Sequence, residues 1–502
     1  MIYFFSYKES LYLTERHFLK MLAGNCMERF EFLVNHANLE NKAYQYDGVS
    51  WCVDNELKTT PFYGNVRGGI IADEMGLGKT FTMIGTMFAH MLPCTLIVVP
   101  PILIDQWYQE IFRISGHKAV IYHGAIKKTI TIEQLARSRI VITTYGAISI
   151  SRKKLELDKI HKVLWNRVVF DEAHHLRNRK TIRFLGCSNI RATIRWFMTG
   201  TPIQNKRTDL YHLLSALGLP KSVYIEAIVM PAVLKQYVLR RTKKSVGLQM
   251  PDVVETTILV PWANSFEKKM AEEIHSAVPM SQVSSKKSGL FSDVLLKGKA
   301  LTAILRAKQI CIMPSLLKPL IESLVLKKSL TEDYIIMLEN HSKVDAVVSC
   351  IVAQKDNGKG KIVFCHYHVE IDLITEQLTA NGITTAVFDG RNKGAERWDK
   401  LKENATVLIL QIQTGCEGLN LQENYSEVYF VSPHWNPSIE DQAIARCHRM
   451  GQLNEVKVFR FIMDSFEKEK ESKIDPITLE KYIHMVQEIK RQIYAETFAV
   501  VV

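Results

Sequence analysis

The stretch GIIADEMGLGKT at Gly69–Thr80 runs from a short apolar segment into a glycine turn and then into TFTMIGTMFAHML, a segment of helical character. A buried strand, a tight turn and a helix in immediate succession is the repeating unit of a parallel α/β sheet, so this stretch constrains the fold more than any other. Similar apolar runs follow at Thr95–Val99, Ala119–Tyr122, Ile140–Thr143, Val163–Phe170 and Arg195–Met198, and again at Lys361–Phe364, Thr385–Phe388, Val407–Gln411 and Val428–Val431. Helical segments separate them. Between about Leu210 and Asn340 the alternation stops and the chain reads as helical, with a Ser/Lys-rich patch, SQVSSKKSG, at Ser281–Gly289. The expected fold class is α/β: two doubly wound parallel-sheet lobes joined by a helical insert.

The same turn carries chemistry. Backbone N–H groups in a glycine turn, at the N-terminus of a helix, make a cradle for phosphate. The strand is expected to end at Asp73 and the turn to span Met75, Gly76, Leu77 and Gly78, with Asp73 and Glu74 also counted among the cofactor contacts; Lys79 would reach the β/γ-phosphates and the Thr80 hydroxyl would hold Mg²⁺. Asp73 stands where the usual phosphate-loop pattern has its first glycine. A second stretch, DEAH at Asp171–His174, follows the apolar run VLWNRVVF. Carboxylates at the C-terminal edge of a parallel strand sit where such sheets bind ligands. Asp171 can hold the Mg²⁺ beside Thr80, and Glu172 can orient or deprotonate an attacking water. A third stretch, PSIEDQAIARCHR at Pro437–Arg449, predicts a helix with Arg446 and Arg449 on one face, able to stabilise charge on a transferred phosphoryl group. Gln442 and Gln452 are polar groups near the same end. Together the three imply ATP hydrolysis, with ATP and Mg²⁺ as cofactors.

In this order the motifs resemble the Swi/Snf family of superfamily-two ATPases, which move along double-stranded DNA. YQYDGVSW at Tyr44–Trp51 resembles the family's opening motif, in which Gln45 would contact adenine, and DEMGLGKT resembles its phosphate loop, including the missing first glycine. LIVVPPILIDQW, ITTYG, DEAHHLRN, MTGTPIQN and VLRRTK follow, then KIVFCHY, FDG, QTGCEGLNL, HWNP and QAIARCHRMGQ. TLEKYIHMVQEIKRQI at Thr478–Ile493 resembles a helix that braces the core. The resemblance implies two RecA-like lobes with ATP in the cleft between them. It implies ATPase roles for Lys79, Thr80, Asp171, Glu172, Gln442, Arg446 and Arg449, and coupling roles for Thr199, Thr201, Gly415 and Gly418. Thr143, Thr144, Asn420 and Trp435 would lie near the DNA. The expected divisions are an extension at 1–39, a first lobe at 40–235, a helical linker at 236–340, a second lobe at 341–475 and the bracing helix at 476–502.

Composition agrees without deciding. Lys+Arg 64 against Asp+Glu 52 gives a net charge of +12, which suits a polyanionic partner. Double-stranded DNA, held through its phosphates, is the expected partner, with a DNA-bound protein as a further substrate. Nine cysteines are scattered without a CxxC pair, which predicts neither a disulfide framework nor a zinc finger. That bears on one branch of the family: WNRVVFDEAHHLRN and RWFMTGTPIQN resemble the DNA-damage-tolerance members, yet the cysteines of their RING insert are absent. No apolar run is long enough for a bilayer, and the opening residues do not resemble a secretion signal, so an intracellular, reducing compartment is expected; nucleus, cytoplasm and virus particle are not separated. Two other readings stay open: a strand-separating DNA or RNA helicase, and a nucleotide-gated binding module with weak turnover.

Overall fold

The structure, a computed structural model, describes residues 25–40, 42–58, 65–150, 157–280, 283, 296, 298–391, 405–415, 419–466 and 476–499. The chain forms two compact units, Met1–Gln249 with Ile493–Val502, and Met250–Gln492.

The first unit is built on seven strands, β1 (Arg67–Ile71), β2 (Thr95–Val99), β3 (Val120–Tyr122), β4 (Ile140–Thr144), β5 (Leu164–Asp171), β6 (Arg191–Met198) and β7 (Val238–Leu239). They lie in the order β3-β4-β2-β5-β6-β1-β7, and every pairing is parallel. Side chains alternate between the two faces, and helices cover both, so the strands read as continuous apolar runs. Leu96, Val98, Val168 and Phe170 enter the core on one face, while Ile97, Val99, Val169 and Trp196 enter the core on the other. Because the strands are parallel and adjacent, the ends of β5, β6, β1 and β7 bring Asp171, Thr199, the turn after Ile71 and Arg241 to one edge.

Beneath the sheet lies a buried polar knot. Glu56 accepts from Arg167 Nε at 2.6 Å, Arg167 Nη2 at 2.5 Å and Trp196 Nε1 at 2.7 Å, and pairs with His90 Nδ1 at 2.6 Å. Burial alone would raise its pKa, but Arg167, His90 and Trp196 outweigh that and hold the carboxyl below its usual range. The helix Cys26–His36 packs Phe30 and Val34 against Val49, Val53 and Ala89, so the described part of the N-terminal extension is structural to this unit. Residues 1–24 lie outside the described residues.

The second unit has six strands, β8 (Val253–Val260), β9 (Gly360–Cys365), β10 (Thr385–Phe388), β11 (Val407–Gln411), β12 (Tyr425–Phe430) and β13 (Val456–Met463), in the order β10-β11-β9-β12-β13-β8 and again all parallel. Helices Ser265–Ser276, Ala300–Ile312 and Lys318–Leu326 make a satellite core of Met270, Ile274, Ile310 and Ile321 with Leu479 and Ile483 of the last helix, Leu479–Phe498.

Two expectations change here. The segment 236–340 is not wholly helical and does not begin a linker at 236. Val238 and Leu239 pair with Ile70 and Ile71, which carries the first unit through Gln249, and VVETTILV at Val253–Val260 pairs along its whole length with β13. Tertiary pairing supplies the strand that two residues alone could not announce. Most of Ser281–Gly289 lies outside the described residues. Among the described residues no helix is long and apolar enough to cross a membrane, the eight described cysteines are free thiols, and no three metal-ligating side chains cluster.

Candidate active site

The turn after β1 leads straight into the helix Lys79–Ala89. Gly76 (φ 92°) and Gly78 (φ 78°) both adopt left-handed backbone, which only glycine tolerates without strain. Lys79 Nζ donates to the carbonyl of Asp73 at 2.9 Å and of Glu74 at 3.4 Å, folding the ammonium over the turn. Burial pulls its pKa below the lysine norm, against the opposing charges of Glu172, Asp73 and Asp171. Those carbonyls hold the charge where phosphate oxygens would be stronger acceptors. Thr80 follows in the first helical turn.

Within Asp73–Thr80 the side chains divide. The Asp73 carboxylate is buried and accepts from Arg241 N, Nε and Nη2 at 3.0, 3.1 and 2.5 Å. Glu74 accepts from Lys243 N at 2.9 Å, and Leu77 is buried in the core. Expected among the cofactor contacts, these three side chains instead tie the turn to its own lobe. The cradle falls to the backbone of Met75–Gly78 with Lys79 and Thr80. Gln45, on the helix Ala43–Leu57, lies against the turn: a Cβ on Gly78 would stand 2.8 Å from Gln45 Nε2.

Asp171 ends β5. It accepts from Trp107 Nε1 at 2.8 Å and from the Glu172 amide at 2.9 Å. Its pKa is pushed up to about 6, first by burial and then by the charge of Glu172. A buried carboxylate beside a second one is a site that a cation would relieve, which fits the Mg²⁺ role. Glu172 itself stands at φ 49°, ψ 49°, a left-handed conformation that costs about 1–3 kcal/mol for a residue with a side chain. His174 Nδ1 lies 3.2 Å from Glu172 Oε2. The backbone thus turns sharply at the residue expected to handle water.

The expected coupling segment touches this site. Thr199 N donates to Ile71 O at 3.0 Å, and Thr201 N to Thr199 Oγ1 at 3.1 Å. Between them, a Cβ on Gly200 would stand 2.8 Å from Met75 Cγ and 3.4 Å from Lys79 Nζ. Gly200, Trp107 and Arg241, to which the motifs assign no role, lie directly against these residues. All three lie inside quoted motifs, which was the available signal.

Thr143 and Thr144 are placed otherwise than expected. Both are buried; Thr143 Oγ1 donates to Tyr122 O at 2.8 Å, and Thr144 Oγ1 accepts from Ala147 N at 3.3 Å as a helix cap. Their hydroxyls hold a strand end and a turn.

In the second unit the helix carrying Gln442 is Pro437–Ile444, capped by Asn436, and Gln442 is buried. It stops short of the arginines. Arg446 N bonds Ala443 O at 3.1 Å and Arg449 N bonds Cys447 O at 3.1 Å, so both lie on tight turns beyond the helix, where the expectation of one helical face fails. Bonds to carbonyls two and three residues back interrupt the helical ladder there, although His448 N still reaches Ile444 O at 2.9 Å. Arg446 is buried; Arg449 is half-buried, donating from Nε to Ala445 O at 2.9 Å and from Nη1 to Asn420 Oδ1. Gln452 Nε2 bonds three carbonyls, of Gln422, Tyr425 and Cys447, and holds this turn. Trp435 is part-exposed, with Lys490 Nζ 5.8 Å from its ring centroid. Gly415 ends the short helix Ile412–Gly415, and Gly418 lies outside the described residues.

Residues 44–316 match the SNF2-related domain and residues 342–451 match the helicase conserved C-terminal domain. The chain therefore belongs to the SNF2-related family, the Swi/Snf type of helicase-like ATPase. It is 26% identical to an uncharacterized ATP-dependent helicase of Mycoplasma genitalium, over 95% of this chain and 44% of that one. To the probable global transactivator of Orgyia pseudotsugata multicapsid polyhedrosis virus it is 27% identical, over 84% of this chain and 86% of the relative. The chain spans less than half the length of the Mycoplasma relatives it matches. The Pyrococcus furiosus Hef helicase domain superposes with a TM-score of 0.52 at 16% identity, covering 84% of this chain and 95% of that one, a likeness of fold.

Proposed function

We propose that this chain hydrolyses ATP to translocate along double-stranded DNA, and that it uses this movement to displace or remodel proteins bound there. The observation that carries the ATPase reading is the convergence of Lys79, Asp171 and Glu172 at one sheet edge, with a carboxylate whose proton affinity calls for a cation. When bound, Mg²⁺ and ATP supply the phosphoanhydride and the cation that offsets charge on its oxygens. The chain's own residues do the rest. Lys79, which donates to two carbonyls here, would turn to the β/γ-phosphates, and Asp171 and Thr80 would hold the cation. Glu172, fixed by its strained backbone, orients water and accepts its proton. Arg446 and Arg449 are the groups assigned to the transferred phosphoryl charge.

Double-stranded DNA is supported by the family and by the net charge of +12. Backbone phosphates are the contacts expected, so binding should carry little sequence preference and weaken steeply with salt. Trp435 and Asn420 remain the candidate contacts, though Asn420 now shares its side chain with Arg449. We place the protein in a reducing, intracellular setting on its scattered cysteines. An assay on blunt and tailed duplexes that carry a tightly bound protein, reading strand separation and release of that protein side by side, tests the reading: ATP-driven release without strand separation supports it, and efficient unwinding overturns it in favour of a helicase.

A further inference from the structure

Arg241 sits in VLRRTK, one of the family-like motifs, where the sequence alone assigns it no role. The structure makes it the meeting point of two ligand-facing elements. Its guanidinium and amide make three bonds to the buried Asp73 carboxylate, at 2.5–3.1 Å, at the start of the phosphate turn. Through Nη1 it donates to the carbonyl of Tyr44, the residue before Gln45, and its Cζ lies 5.6 Å from the Tyr44 ring centroid. The fit is close. A Cβ on Gly48, one turn along the same helix, would stand 2.7 Å from Arg241 Nη2, so a side chain there would displace the guanidinium. The surrounding backbone repeats the link: Ala72 N donates to Leu239 O at 2.8 Å and Glu74 N to Arg241 O at 2.9 Å.

We propose that Arg241 is a positioning residue for base selection: by clamping Asp73 and the Tyr44 carbonyl together it fixes the Gln45 amide over the phosphate turn, and so makes this site prefer adenine over guanine. Gln45 can discriminate bases only if its amide is held at a set distance from where the phosphates are gripped. The far end of its helix, Ala43–Leu57, is pinned by Glu56, and the bond from Arg241 to the Tyr44 carbonyl holds the first turn, where Gln45 lies. A planar, bidentate guanidinium does this where a lysine, with a single point of charge, would not. Asp73 is then explained at the position where the common phosphate loop has glycine: its carboxylate anchors the clamp. The inference rests on the ATP-binding reading above and names the residue that gives that site its selectivity.

Binding, measured by titration with ribose-labelled fluorescent ATP and GTP in the presence of Mg²⁺, tests it independently of turnover. The unaltered protein should bind the ATP analogue more tightly. Arg241→Lys should weaken ATP binding by about ten-fold, the scale of a lost charge-assisted hydrogen bond, and change GTP binding by less than about two-fold. Asp73→Asn, which keeps the shape and loosens the clamp, should move the ratio in the same direction. Adding Gln45→Ala to Arg241→Lys should produce little further loss, since both act through one amide. If the variants bind both nucleotides more weakly by the same factor, with the ATP-to-GTP ratio preserved, Arg241 is merely structural and the proposal is overturned. It is equally overturned if the unaltered protein shows no base preference. A protein that binds ATP selectively but never hydrolyses it would contradict the proposed function while leaving this inference standing.

Discussion

Asp171 is held between two influences that make its ionisation informative. Burial and Glu172 push its pKa up to about 6, whereas the Trp107 N–H favours the ionised form. Below that value the carboxyl carries a proton that a cation must displace. The Mg²⁺ concentration needed for half-maximal ATPase activity should therefore rise by up to about ten-fold per pH unit as pH falls below about 6. Trp107→Phe should move this acid limb upward by about half to one unit; a limb that stays in place would separate Trp107 from the site. The stability sign is opposite. The folded, metal-free chain holds this proton more tightly than the unfolded chain, so the group's contribution is fully present below the ordinary value of 3.8 and is lost as pH rises through about 6. Lys79→Ala should abolish turnover, as steady-state hydrolysis would show; normal hydrolysis by that variant would remove the phosphate turn from the account. These two residues were legible in advance because their roles depend on residue type and position in a turn. Trp107 was not, since an indole at the end of LIVVPPILIDQW looks like core until Asp171 is found beside it.

Among the elements, the parallel strands were readable because both faces of each sheet are covered, leaving unbroken runs such as TLIVV and IVITT. β7 was not, being two residues whose strand character exists only through Ile70 and Ile71. β8 was not, because five of its eight residues are exposed at a sheet edge, among them Glu255, Thr256 and Thr257. The helix expected through Arg449 ends at Ile444 because bonds two and three residues back, at Arg446, Cys447 and Arg449, break the regular ladder, which periodicity does not foretell. Arg449→Ala should accordingly leave ATP affinity near that of the unaltered protein and slow hydrolysis by about 10²–10³-fold, the scale of a lost donor to developing charge; unchanged turnover would remove its assignment. The knot under β5 and β6 makes a stability prediction. Glu56→Ala should cost about 3–5 kcal/mol in denaturant unfolding, because it strands the Arg167 guanidinium in the core. Glu56→Leu combined with Arg167→Met should recover much of that loss, and a double variant as unstable as the single would show that packing, not charge, is the cause.

At the scale of the molecule, two parallel-sheet units divide the motif residues between them. The first holds the phosphate turn, the carboxylates and the clamp at Arg241; the second holds Arg446 and Arg449. Motif order along the chain announced this division, but not the limit of the first unit at Gln249, because the chain leaves that sheet only after β7 has paired. Nor did it announce that Thr143 and Thr144 face inward, since a hydroxyl at a strand end serves a cap or a nucleic acid with the same sequence. What joins the parts is the claim that nucleotide turnover is driven by duplex DNA. The direct measurement is steady-state ATP hydrolysis at fixed low salt with no nucleic acid, double-stranded DNA, single-stranded DNA or RNA. The account predicts stimulation mainly by double-stranded DNA, lost as salt is raised. Preference for RNA or single strands, or no turnover under any of these conditions, would contradict it.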